Sequence, residues 1–180
     1  MARTATTAAA HDGFSRRGFL TGRQAPGFRP LPPGVDLASL AACSGCGDCV
    51  SACPQDILLV SEGRVAIDFS LGECTFCSAC SDACPEPVFA AIAPTAAGQA
   101  AARPVMQHVA AISDACLARQ GVTCMSCRDA CPENAIRFAP RAGGPFLPVL
   151  DAGLCNGCGA CIAPCPGDAI AARPREAAHA

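Results

Sequence analysis

The sequence predicts an α+β chain: two small repeated modules of short hairpins and short helices behind a flexible N-terminal arm. Three observations predict it. All sixteen cysteines of the 180 residues fall into four short groups. The groups are spaced in pairs: 31 residues separate Cys43 from Cys74 and 31 separate Cys124 from Cys155, but 50 separate Cys74 from Cys124. Repeats this short cannot bury a core alone and pack in pairs, so groups one and two form one unit and groups three and four another. The composition supplies little else to fold around. Trp and Tyr are absent, Phe is sparse, and small residues carry much of the apolar count. Modules of this size then depend on an inserted group for stability.

The last cysteine group is the clearest: Cys155-Asn156-Gly157-Cys158-Gly159-Ala160-Cys161, then Cys165 and Pro166. Cys43, Cys46, Cys49, Cys53 and Pro54 have the same form, as do Cys74, Cys77, Cys80, Cys84 and Pro85. The third group keeps Cys124, Cys127, Cys131 and Pro132, with its leading cysteine moved back to Cys116. C-x2-C-x2-C-x3-C-P is the run of bacterial-type two-cluster ferredoxins, which hold [4Fe–4S] cubes on cysteine thiolates. Three thiolates spaced by two residues wrap three corners of a cube from one tight loop, with inward N–H groups donating to sulfur as in an anion-binding nest. Gly45, Gly47, Gly157 and Gly159 permit the positive φ such a loop needs. The proline behind the fourth cysteine suits the first turn of a short helix. Disulfides and structural zinc compete for this many cysteines. Four near-identical clusters make an odd disulfide frame, and zinc draws C-x2-C pairs from separate hairpins, without a third cysteine at the same spacing.

In chain order, residues 1–38 form the arm. Residues 1–30 hold Arg3, Arg16, Arg17, Arg23 and Arg29 against Asp12, on a chain of net charge −2 with no lysine. A basic arm on an acidic body reads as a docking element, centred on Arg16, Arg17, Phe19 and Leu20. Ser15-Arg16-Arg17-Gly18-Phe19-Leu20 looks like a twin-arginine export signal, but polar, charged and proline-broken sequence follows it where an apolar h-region is required. No apolar stretch approaches membrane-spanning length. The expectation is a cytoplasmic protein, where thiols stay reduced.

Residues 39–93 form the first two-cluster module. Pro54 to Leu58 reads as one helical turn. Leu59-Val60 and Arg64-Val65-Ala66-Ile67 read as a hairpin with Gly63 in its turn. Residues 94–104 are a linker by composition. Residues 105–173 form the second module. Val105 to Ile112 reads as a strand, residues 135–138 and 145–150 pair across a turn at 141–144, and 169–171 close the unit. Residues 174–180 are a polar tail.

By analogy with two-cluster ferredoxins, the fourth cysteine of each run ligates the other cluster. Cys43, Cys46, Cys49 and Cys84 then hold one cube, and Cys74, Cys77, Cys80 and Cys53 a second. Cys155, Cys158, Cys161 and Cys131 hold a third. Cys116, Cys124, Cys127 and Cys165 hold a fourth, if the seven residues between Cys116 and Cys124 loop out; otherwise the chain holds three clusters with spare cysteines. Local ligation is the alternative wiring of the same residues.

The arm from Ser15 to Gly22, the two clean leading runs, Asp114-Ala115-Cys116-Leu117 ahead of the third group, and Leu154 to Cys161 resemble the NapF family. These are ferredoxin-type accessory proteins of periplasmic nitrate reductase systems. The resemblance implies a cytoplasmic iron–sulfur protein that binds the catalytic subunit of that reductase in its precursor form, before export, and helps mature or load it by supplying electrons or Fe–S units.

Nothing in the sequence reads as a substrate site, so no enzyme is expected, and no nucleic-acid partner. His11, His108 and His179 are scattered away from ligand spacing. Phe69, Phe76, Phe89, Phe138 and Phe146 read as packing around clusters, and Arg128 as a surface charge. The alternative function is a general polyferredoxin electron carrier or an electron-transfer subunit of a redox complex.

Overall fold

A computed structural model describes residues 28–89 and 106–175. The arm residues Arg16, Arg17, Phe19 and Leu20 and the linker 94–104 lie outside the described residues.

In the first module, a 3-10 turn at Ser39–Ala42 leads into the first cysteine loop. Asp36 and Ser39 brace it reciprocally: Ser39 N–H donates to Asp36 Oδ1 at 2.7 Å and Asp36 N–H to Ser39 Oγ at 3.1 Å. A single helical turn follows, α1 (Asp48–Ser51). Then β1 (Leu58–Ser61) pairs antiparallel with β2 (Arg64–Ile67), Leu58 opposite Ile67. Glu62 and Gly63 both have positive φ, 54° and 75°, the mirror-image turn that matches strand twist in a two-residue hairpin. The second cysteine loop runs into α2 (Ala79–Asp82).

Residues 28–38, assigned to the arm by composition, pack into this module. Val35 is 2% exposed within its core, and the Pro30 carbonyl accepts the Ile67 N–H at 3.0 Å. Composition places this stretch in the arm, but its prolines and Val35 supply apolar surface against β2 that so small a core needs.

In the second module, β3 (His108–Ile112) pairs antiparallel with β6 (Ile170–Pro174), and β4 (Ile136–Ala139) with β5 (Leu147–Leu150). The first and last strands thus close the unit around the hairpin. One helical turn, α3 (Ser126–Asp129), lies between the cysteines of the third group. The closure extends to Arg175, whose N–H donates to Gln107 O at 2.9 Å. Pro174 and Arg175, placed in the tail by composition, therefore belong to the module.

Helical turns lie ahead of the fourth cysteine, not behind it. Behind Cys53, Cys131 and Cys165 the chain makes a tight turn closed by the N–H of Asp56, Asn134 and Asp168 on the cysteine carbonyl, at 3.2, 3.3 and 3.2 Å. Those three residues take left-handed φ of 52°, 51° and 46°, which Asp and Asn tolerate best among residues with a side chain. The reversal ends any helix after the proline. In the second module it also aims the next N–H at sulfur: Ala135 N–H to Cys131 Sγ and Ala169 N–H to Cys165 Sγ, both 3.3 Å.

Two apolar clusters fill the body. The first gathers Ile57, Val65, Ile67, Phe69 and Val88 with Met106 from the second module. The other gathers Ala110, Ile136 and Ile170 with Cys127 and Cys161, and Ile162 packs on both.

Candidate metal centres

None of the sixteen cysteines is in a disulfide. The fold gathers them across the runs. Cys43, Cys46, Cys49 and Cys84 line one cavity, here site A. Cys53, Cys74, Cys77 and Cys80 line a second, site B. Cys131, Cys155, Cys158 and Cys161 line a third, site C. The empty space at these sites is about 300, 390 and 410 Å³, counted with the solvent at their mouths. The thiols stand around a space and, among the described residues, do not converge on a single ion.

Electrostatics gives the same grouping and adds a fourth set. The Cys161 thiol is pushed up to about 12, by burial first and then by the nearby charges of Cys155, Cys158 and Cys131. Burial pushes Cys80 up to about 11, with Cys74, Cys53 and Cys77 as its charged neighbours. Cys49 is raised by burial and then by Cys84, Cys43 and Cys46. Cys127 is raised to about 11 by burial first, then by Cys116 and Cys124, and least by Cys165. Cys116, Cys124, Cys127 and Cys165 thus form site D, and the displaced cysteine is the strongest charged neighbour of Cys127.

The stretch between Cys116 and Cys124 does loop out. Gln120 N–H donates to Cys116 O at 3.0 Å and Val122 N–H to Leu117 O at 2.8 Å, with Arg119 paired to Asp114 at 2.8 Å. The extra residues close on themselves and leave Cys116 beside its set.

Backbone N–H groups favour the thiolates in the loops. Those of Phe76, Ser81 and Ala160 lower the thiols of Cys74, Cys80 and Cys158 against the upward push of burial. Four thiols around a cavity with N–H groups aimed at sulfur are the donor set a [4Fe–4S] cube takes, so the residues present fit that group.

With this geometry in place, similarity to known proteins decides the family. A family profile for a 4Fe-4S dicluster domain matches residues 42–88 and 122–176. Ferredoxin-type protein NapF of Escherichia coli K12 is 40% identical over 168 residues, covering 88% of this chain and 93% of that protein. The chain belongs to the NapF family of ferredoxin-type proteins. NapF of Haemophilus influenzae Rd is 40% identical over 80% of this chain and 77% of its own length. Ferredoxin-type protein NapG of E. coli K12 is 32% identical over 79% of this chain. The chain is therefore an iron–sulfur protein with two 4Fe–4S dicluster segments. No helix of the described residues is long and apolar enough to cross a membrane.

Several residues at the sites carried no sequence signal. His108 is 1% exposed and lines site C. Its Nε2–H donates to Gly157 O at 2.9 Å, which leaves Nδ1 buried and unpartnered; burial holds this histidine below its ordinary value. Asn156 braces the same loop, accepting the Cys158 N–H on Oδ1 at 3.0 Å and donating to Glu133 Oε1 at 2.8 Å. The Arg175 guanidinium donates to Ala152 O at 2.8 Å and Cys155 O at 2.6 Å. Apart from the local Asn156–Cys158 bond, these contacts join residues far apart in sequence, so no local pattern announces them. Phe69, Phe76 and Phe89 line sites C, B and A, while Phe146 is 48% exposed. Arg128 pairs with Asp129 at 2.8 Å on the surface.

Proposed function

We propose that this chain is a cytoplasmic accessory protein of a periplasmic nitrate reductase system. In this reading the sixteen cysteines hold four [4Fe–4S] cubes in the crossed sets A to D. The arm residues Arg16, Arg17, Phe19 and Leu20 dock on the catalytic subunit before its export, and the protein assists that subunit's maturation by supplying electrons or Fe–S units. The observation that carries it is the co-occurrence of NapF family membership with thiols gathered in fours across the runs.

A bound cube takes up or releases one electron. The chain's own residues hold four thiolates in fixed positions, donate N–H groups to sulfur, and line sites A to C with the apolar rings of Phe89, Phe76 and Phe69. Hydrogen bonds to sulfur and solvent exposure are the levers that tune potential, and the sites differ in both: Cys46 and Cys77 are exposed, whereas Cys161 and Cys127 are buried.

The test is an anaerobic pull-down of the tagged protein from the cytoplasm of nitrate-grown cells. Recovery of the catalytic subunit with its export signal still attached, lost on removal of residues 1–27, is the expected result. Intact clusters by iron and sulfide count with no such precursor would reject the dedicated role in favour of a general electron carrier.

A further inference from the structure

The linker and the paired repeats describe two modules on a string, but the described residues join them at one junction, and that junction lies between sites B and C. Cys74 N–H, in the site B loop, donates to Cys158 O, in the site C loop, at 2.9 Å. Phe69, next to the site B loop in sequence, is 4% exposed and lines site C. It lies against Gly159 so closely that a Cβ there would clash with the phenyl ring. His108 of the second module also stands against it, ring centroids 5.5 Å apart, and the Phe28 ring of the first module lies 6.1 Å from that of His108. Met106 is 2% exposed within the first module's core.

We propose that Phe69, Gly159 and the Cys74–Cys158 hydrogen bond form a positioning junction that locks site B against site C, so the protein presents four sites in one fixed line, A–B–C–D, instead of two separable pairs. The proposal rests on the reading that the crossed sets hold cubes.

Three physical facts support the lock. A buried aromatic pair and a buried apolar side chain cross between the modules, contacts that carry most of the energy of a small interface. The Cys74–Cys158 bond joins ligand loops directly, so neither site moves without the other. The position facing Phe69 is glycine at φ 81°, and the close approach uses the missing side chain.

One electron passing from B to C oxidises the cube at B and reduces that at C, with no bond made or broken. An external one-electron reductant, dithionite in the test, supplies it. A docked partner at either end of the line then has access to electrons stored at the other.

The first test is the chain produced as two co-expressed pieces split after Gly98, with a tag on one piece. The junction predicts that both pieces are recovered together, with the iron and sulfide of the intact protein, and that Gly159→Ala or Phe69→Ala separates them. Two loaded pieces recovered apart would overturn the proposal. Pieces recovered together without iron would reject the cluster reading while leaving the lock in place.

The second test uses the unsplit chain and decides the matter if the split pieces are insoluble. Pulsed EPR on the intact reduced protein measures distances between paramagnetic clusters. The junction predicts three short neighbour distances, with the one between modules comparable to the two within them. Two isolated short pairs would contradict it. In Gly159→Ala only the distance between modules should lengthen; a variant that loads fully and keeps all three distances would also count against the lock.

Discussion

Sites A and D each gather four thiols, but from differently built chain. At site A three cysteines come from one compact loop, and Gly45 at φ 72° packs against the Gly63 carbonyl of the hairpin. At site D the first thiol arrives from a self-closed turn ahead of the loop, and Met125 has φ −135° where site A has a left-handed glycine. Sites B and C differ in a second way. The left-handed positions that Gly157 and Gly159 fill at site C are Phe76 and Ser78 at site B, at φ 55° and 66°. A left-handed residue other than glycine costs about 1–3 kcal/mol and persists only where its surroundings over-determine it. What the fold preserves is the place of each sulfur. Spacing and glycine are two of several ways to reach it.

The largest expected effect tests how far each module depends on its metal. Chelation should collapse both, since inserted clusters replace a core. Among the described residues, the first module has one hairpin and the second has two strand pairs. Limited proteolysis followed by mass spectrometry should therefore find cuts within 28–89 before cuts within 106–175. The reverse order would place the weak unit on the wrong side.

A core substitution comes next. Phe69→Ala should cost roughly 3–5 kcal/mol, read by chemical unfolding of the anaerobic holoprotein. A loss well under about 1 kcal/mol would mean that the ring contributes little to joining the modules.

Loading should also depend on pH. The thiols of Cys161 and Cys158, raised to about 12 and about 11, are protonated near neutrality in the metal-free chain and must lose those protons to bind iron. Proton release on binding means that loading is favoured as pH rises. Reconstitution at site C should thus be more complete at pH 8.5 than at pH 7, as followed by cluster absorbance and iron count. A flat profile would contradict the protonated starting state.

The smallest effect concerns the two loops that differ in glycine. Ser78→Gly removes left-handed strain and should stabilise the protein by about 1 kcal/mol or less. Gly45→Ala adds strain and a contact with the Gly63 carbonyl, and should destabilise it by more than that gain. Equal and opposite shifts in unfolding midpoint would mean that the loop tolerates a Cβ equally at both places.

Much of this was legible in the sequence because it is local. Cysteine spacing marked the four groups, their 31-residue period marked the modules, and glycine in Glu62-Gly63 marked a hairpin. Pro132 and Pro166 were misleading in an instructive way. Proline permits a helix start, but Asn134 and Asp168 two residues on turn the chain left-handed and stop it. The illegible part is tertiary. Val35 enters the core from a proline-rich stretch, His108 reaches site C through strand pairing with β6, and Phe76 and Ser78 hold glycine geometry through their neighbours.

The central claim is that four crossed sets of thiols hold four cubes, including the set with the displaced Cys116. Native mass spectrometry of the anaerobically purified protein tests it directly, on the parent chain and on Cys116→Ser. The account predicts four [4Fe–4S] cubes in the parent and the loss of one in the variant. Three cubes in both would show that Cys116 is spare and that site D is no cluster site.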